Sequence, residues 1–145
     1  GNPGPGGYGI VMEDCKTGFA KQYSQGFRKT TNNRMELLAV IEALKKLKKS
    51  GLKITVFTDS KYVVDSVEKK WVFKWKSTGF INKKNVDLWL EFLKVQELNN
   101  ISFKWIKGHN NHPQNETCDK LAFKASENKP LLVDKGYENN LNKLF

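Results

Sequence analysis

Residues 53–58 read Lys-Ile-Thr-Val-Phe-Thr and run straight into Asp59-Ser60. Such a stretch, rich in β-branched and aromatic residues, reads as a strand. Helical patterns flank it. Leu37, Leu38, Ile41, Leu44 and Leu47 fall on one helical face before it. Ser60 to Lys69 reads as a helix after it. Strands set between helices must share a sheet with helices packed on it, so the chain is expected to be an α/β domain.

The remaining elements agree. Tyr8 to Glu13 and Phe19 to Phe27 have strand character, joined by a hairpin at Asp14-Cys15-Lys16-Thr17-Gly18. Asn32 and Asn33 are candidate caps for the first helix, and Gly51 is expected to close it. Trp71 to Gly79 reads as a short second helix or an extension of the one before it, and Asp87 to Leu98 as a further helix. Ile101 to Ile106 reads as the last strand. Pro113 suits the first turn of a final helix, on which Cys118, Leu121, Ala122 and Ala125 share a face. Residues 1–128 are expected to form one domain and 129–145 a polar tail. A length of 145 residues fits that count.

Charge narrows the partners. Lysine and arginine number 25 against 15 acidic residues, a net charge of +10. The excess favours an anionic partner, nucleic acid or an acidic membrane surface. No apolar run approaches the ~18 residues of a membrane span. Cys15 and Cys118 are far apart and have no metal-type spacing, as expected for free thiols in a reducing, cytoplasmic setting.

Gly4, Gly6 and Gly9 satisfy G-x-G-x-x-G, but no strand precedes them and strand residues follow, so a dinucleotide site is not expected. They read instead as a tight turn. Three carboxylates have more telling settings. Asp59 ends a strand, Glu36 sits one turn into an amphipathic helix, and Asp119 lies in the final helix. Each alone reads equally as a cap or an ion-pair member. Brought together they would repel one another unless a cation lay among them, and oxygen-only ligation suits Mg²⁺ or Mn²⁺. His109 and His112 lie in a polar loop without zinc-protease spacing. A loop histidine can carry a proton near neutral pH.

GNPGPGGYG, TTNNRMELLAVIEAL, TDSKYV and KGHNNHPQNETCDKLA occur in that order. Together they resemble the motifs of bacterial type 1 ribonucleases H, from Gly1 to about Asn128. The resemblance implies a five-stranded mixed sheet flanked by helices, with its first strand truncated here. It implies hydrolysis of the RNA strand of RNA–DNA hybrids by two-metal-ion catalysis with Mg²⁺, or Mn²⁺ in its place, leaving 5′-phosphate and 3′-hydroxyl ends. Glu36, Asp59 and Asp119 match metal-binding catalytic carboxylates, and His109 a histidine that helps proton transfer or product release. Asn2, Asn33 and Lys61 match positions lining the hybrid's minor groove, although the family often has glutamine at the position of Lys61. Thr31 matches a pocket for a DNA phosphate, with Arg28 and Lys29 nearby. Trp71, Lys74, Trp75, Lys76 and Phe80, with Lys83 and Lys84, match a basic protrusion that grips the DNA strand. Trp71 and Trp75 read equally well as core residues.

The family's first motif, an Asp-Gly-Ser turn before GNPGPGG, has no counterpart in these 145 residues. The expectation is a fragment of a longer chain acting as a monomeric, cytoplasmic hybrid endonuclease. The alternative is a non-catalytic module that binds the hybrid without cutting it.

Overall fold

The computed structural model describes residues 2–108 and 112–141. Strands β1 (Gly4–Glu13) and β2 (Ala20–Thr30) form an antiparallel pair. Helix α1 (Asn32–Lys45) follows, then β3 (Lys53–Thr58). Helices α2 (Lys61–Glu68), α3 (Trp71–Ser77) and α4 (Val86–Val95) carry the chain to β4 (Asn100–Trp105), which pairs parallel with β3. Helices α5 (Pro113–Glu127) and α6 (Lys135–Leu141) complete the order.

The α/β class is as expected. Four strands lie among the described residues, in two pairs, consistent with a five-stranded sheet whose first strand is truncated here. No helix there is long and apolar enough to cross a membrane. Both cysteines are free.

Two kinds of packing hold the layers. Around β3 and β4 the core is made of side chains. Leu37 and Ile41 of α1, Val63 of α2 and Trp89 and Phe92 of α4 are almost fully buried, and Phe103 of β4 lies among them. Each such side chain contributes roughly 1.5–3 kcal/mol through burial. The Trp89 indole N–H donates to the Tyr62 hydroxyl at 2.7 Å, and Asn85 Nδ2 donates to the same oxygen at 3.1 Å. Where α5 meets the glycines of β1 and β2 the contact is backbone on backbone. A Cβ on Gly7 would lie 2.7 Å from the carbonyl oxygen of Ala122, and one on Gly9 or Gly26 would overlap those of Cys118 and Ala125. The glycines let α5 sit directly on the strands. This corrects the reading of Gly4, Gly6 and Gly9 as a tight turn. From Gly4 onward they are strand, and glycine is needed for close approach.

Local signals explain the other shifts in boundary. Thr31, not Asn32 or Asn33, caps α1, because its backbone is extended and its hydroxyl accepts from the Arg34 N–H. The helix ends at Lys45, and Gly51 turns the later connection at a φ of 72°. Helix α3 is separate from α2, since Lys70 between them has a φ of 64°.

Residues 132–138, within the segment read as a tail, are docked. Leu132 bridges Phe27 in parallel and exchanges backbone hydrogen bonds with Gly26 and Arg28 at the edge of β2. Asp134 accepts from the Thr30 hydroxyl at 2.6 Å and from Arg34 Nε at 2.8 Å. The buried Arg34 guanidinium also meets Asp87, at the start of α4, at 2.7 Å. One side chain thus ties α1, α4 and the C-terminal segment together.

Candidate active site

Each of the three carboxylates comes from a different layer. Glu36 follows the Thr31 cap by one turn and points from α1 toward β3, where the Thr58 hydroxyl donates to Glu36 Oε2 at 3.4 Å. The same hydroxyl oxygen accepts from the Ser60 N–H at 3.1 Å, which fixes the turn after the strand. Asp59 occupies that turn, at the carboxyl end of β3. Ligands bind at such strand ends in open α/β sheets. Asp119 is half-buried on α5.

Electrostatics show that the three share one neighbourhood. The Glu36 carboxyl is pushed up to about 7, first by burial, then by Asp59 and next by Asp119. Its bond from Thr58 only partly offsets this. A cation among the three would relieve both the repulsion and the desolvation. The donor set is oxygen only, the chemistry that Mg²⁺ and Mn²⁺ take. In kind, therefore, the residues fit such an ion. Among the described residues, however, no three His, Cys, Asp or Glu side chains are grouped closely enough to hold one. Like charges repel one another apart, and two of these carboxylates already accept protein hydrogen bonds.

Three further residues support Asp59, and the sequence reading assigned none of them a role. Asn115 Nδ2 donates to Asp59 Oδ2 at 3.4 Å. The Trp105 indole N–H donates to the Asp59 main-chain oxygen at 3.1 Å. A Cβ on Gly108 would lie 3.0 Å from Asp59 Oδ2, so the loop passes close to the carboxylate. Asn115 carries a sequence signal, because it sits three residues after His112 in the last motif. His112 is the N-cap of α5, with Nδ1 accepting from the Asn115 N–H at 3.1 Å. A histidine read as an exposed loop residue thus orients the helix that bears Asp119. His109 lies outside the described residues.

The expected substrate positions fall into two groups. At the start of α1, Asn2 Oδ1 accepts from the Asn32 N–H at 3.0 Å, Asn33 is exposed, and Thr31 spends only its acceptor on the cap. Lys61 begins α2 beside Asp59. On α3, Trp75 is packed on the core, edge-on to Trp89 at 6.1 Å, with the Lys83 ammonium 5.1 Å from its ring centroid. Trp71 is 39% exposed, with Lys69 over its ring. Lys74 is exposed. The core and surface readings of these tryptophans are therefore divided between them.

The family model for RNase H matches residues 1–127. A ribonuclease H of Desulforamulus reducens is 50% identical over 139 residues, covering 92% of this chain and 86% of that protein. A type 1 RNase H with the type 2 active-site motif superposes with a TM-score of 0.77 at 31% identity, over 99% of this chain and 75% of that one. LC11-RNase H1, solved in complex with an RNA/DNA hybrid, superposes with a TM-score of 0.64 at 27% identity, over 88% of this chain and 89% of that one. With a family model matched over residues 1–127 and a ribonuclease H 50% identical over 92% of its length, the chain belongs to the type 1 ribonuclease H family.

Proposed function

We propose that the chain is a monomeric, cytoplasmic endonuclease that hydrolyses the RNA strand of RNA–DNA hybrids. The observation that supports this reading is the Glu36 carboxyl of α1, raised by burial and by the charges of Asp59 after β3 and Asp119 on α5. These residues would hold Mg²⁺, or Mn²⁺ in its place. When bound, the ions supply an activated water and stabilise the leaving oxygen. The expected products carry 5′-phosphate and 3′-hydroxyl ends.

The protein's own groups have distinct tasks. Asn2, Asn33 and Lys61 face the minor groove, where 2′-hydroxyls distinguish RNA from DNA. Thr31 donates to a DNA phosphate. Trp71, Lys74 and Trp75 hold the DNA strand, with lysine neutralising phosphate and exposed ring offering a face. Asn115 and Trp105 keep Asp59 in place from either side. His109 moves a proton at the reacting centre.

A second reading is favoured by one observation: among the described residues no three His, Cys, Asp or Glu side chains are grouped closely enough to hold a metal ion. On that reading the chain binds hybrid without cutting it. Mg²⁺-dependent cleavage of a labelled hybrid by this chain, beside its Asp59→Asn variant, separates the two. Cleavage that Asp59→Asn abolishes, with hybrid binding kept, is the expected result. Binding without turnover, even after an Asp-Gly-Ser strand is joined upstream of Gly1, would overturn the enzyme reading.

A further inference from the structure

Lys61 stands two residues after Asp59, at the first position of α2. Its ammonium rests 4.8 Å from the centroid of the Trp105 ring. The N–H of that same indole donates to the Asp59 main-chain oxygen. One ring therefore touches both ends of the turn Asp59-Ser60-Lys61. Trp105 closes β4 opposite Thr58, so the sheet fixes where the ring lies. It is 44% exposed, and Lys61 is exposed, so a ligand can reach the pair from solvent.

A lysine two residues from Asp59 carries a charge that is a hazard to a metal site. Paired with Asp59, it would occupy the charge a cation needs. The face of an indole attracts an ammonium without neutralising any carboxylate, and at a solvated site the attraction is weak enough to be given up. A lysine is also a different reader from a glutamine. It is a compact point charge with three donors and no acceptor, suited to phosphate oxygens. Phosphate contacts position a duplex but carry no information about its sugar.

We propose that Trp105 is a positioning residue that parks the Lys61 ammonium away from the carboxylates, and that Lys61 leaves the ring to take a phosphate of the bound hybrid. This rests on the hybrid-binding reading above. It gives Lys61 a charge role in place of sugar recognition.

Hybrid binding is measured in EDTA across a salt series, so that cleavage is not needed. Lys61→Gln is expected to make the fall of log K with log salt shallower by about one, the loss of one phosphate contact. It should leave the preference for hybrid over duplex DNA of the same sequence unchanged, since the lost contact is common to both. Calorimetric Mn²⁺ titration tests the parking. Trp105→Leu is expected to weaken Mn²⁺ binding, and Lys61→Gln in the same chain to restore it. An unchanged salt slope in Lys61→Gln overturns the phosphate role. A Trp105→Leu chain with undiminished Mn²⁺ affinity, or a loss that Lys61→Gln does not restore, overturns the parking. Should Trp105→Leu fail to fold, Trp105→Met takes its place in the Mn²⁺ titration, with the same expected loss and the same restoration by Lys61→Gln. A wild-type chain that does not bind hybrid overturns the functional reading and this inference together, whereas binding with an unchanged slope overturns only this inference.

Discussion

The two strand pairs are built on opposite packing principles. In β3 and β4 the side chains meet α1, α2 and α4, and the core is aliphatic and aromatic. In β1 and β2 the positions that meet α5 most closely have no side chain. Gly7, Gly9 and Gly26 expose bare backbone, and α5 lies against it. The first arrangement can yield a little, since neighbouring rotamers relax around a smaller or differently shaped residue. The second cannot, because a Cβ there meets a carbonyl that the helix holds in place. The carboxylates come from both sides of this divide. Glu36 and Asp59 belong to the side-chain core, while Asp119 rides on the helix that the glycines admit. The distance of Asp119 from its partners is therefore set by residues that have no side chain.

The sharpest way to break this contrast is to fill the glycine side. Gly9→Val should destabilise the fold by more than about 4 kcal/mol, since backbone must move. A soluble chain with near-native thermal unfolding would show that α5 is free to shift. Next comes the core side. Leu37→Ala, at a fully buried position, should cost about 2–5 kcal/mol by denaturant titration. A cost above that of Gly9→Val would reverse the comparison.

The meeting point of the two sides gives a smaller effect with a defined pH signature. The Glu36 carboxyl titrates near 7 in the fold against 4.5 in the unfolded chain, so the folded state binds the extra proton between those values. Without metal, stability should therefore fall as pH rises from about 4.5 to 7. Glu36→Gln should remove that decline and be the more stable chain at pH 8, by up to about 3 kcal/mol. Thermal unfolding in EDTA at pH 5 and pH 8 measures it. Equal pH dependence in both chains would mean that Glu36 is not crowded by Asp59 and Asp119. The smallest effect sits at the helix start, where Thr31→Ala should cost about 1 kcal/mol through loss of the cap. No loss would leave Asn32 or Asn33 as the working cap.

Much was legible in the sequence because the signals were local. Strand character in 53–58, the helical spacing from Leu37 to Leu44 and the order of four motifs identified the class and the family, and marked three carboxylates as candidates. Boundaries moved where one backbone angle decided them, as at Lys70. Partners assembled from distant segments were missed. Trp105 gave no sign that its indole would hold the Asp59 carbonyl, because β4 reaches β3 only after a long excursion through α2, α3 and α4. Asp134 looked like part of a polar tail, yet it is the buried partner of Arg34 a hundred residues earlier.

The sequence by itself determined the order of strands and helices, the excess of positive charge and which side chains are chemically able to bind a metal or a phosphate. These depend on residue type and short spacing. Only the tertiary structure decided why the early glycines are glycine, that His112 is a helix cap, and that Lys61 rests on an indole beside the carboxylates. Such facts depend on the path of the backbone in space, where a missing Cβ or a ring at a strand end matters only once another segment lies against it.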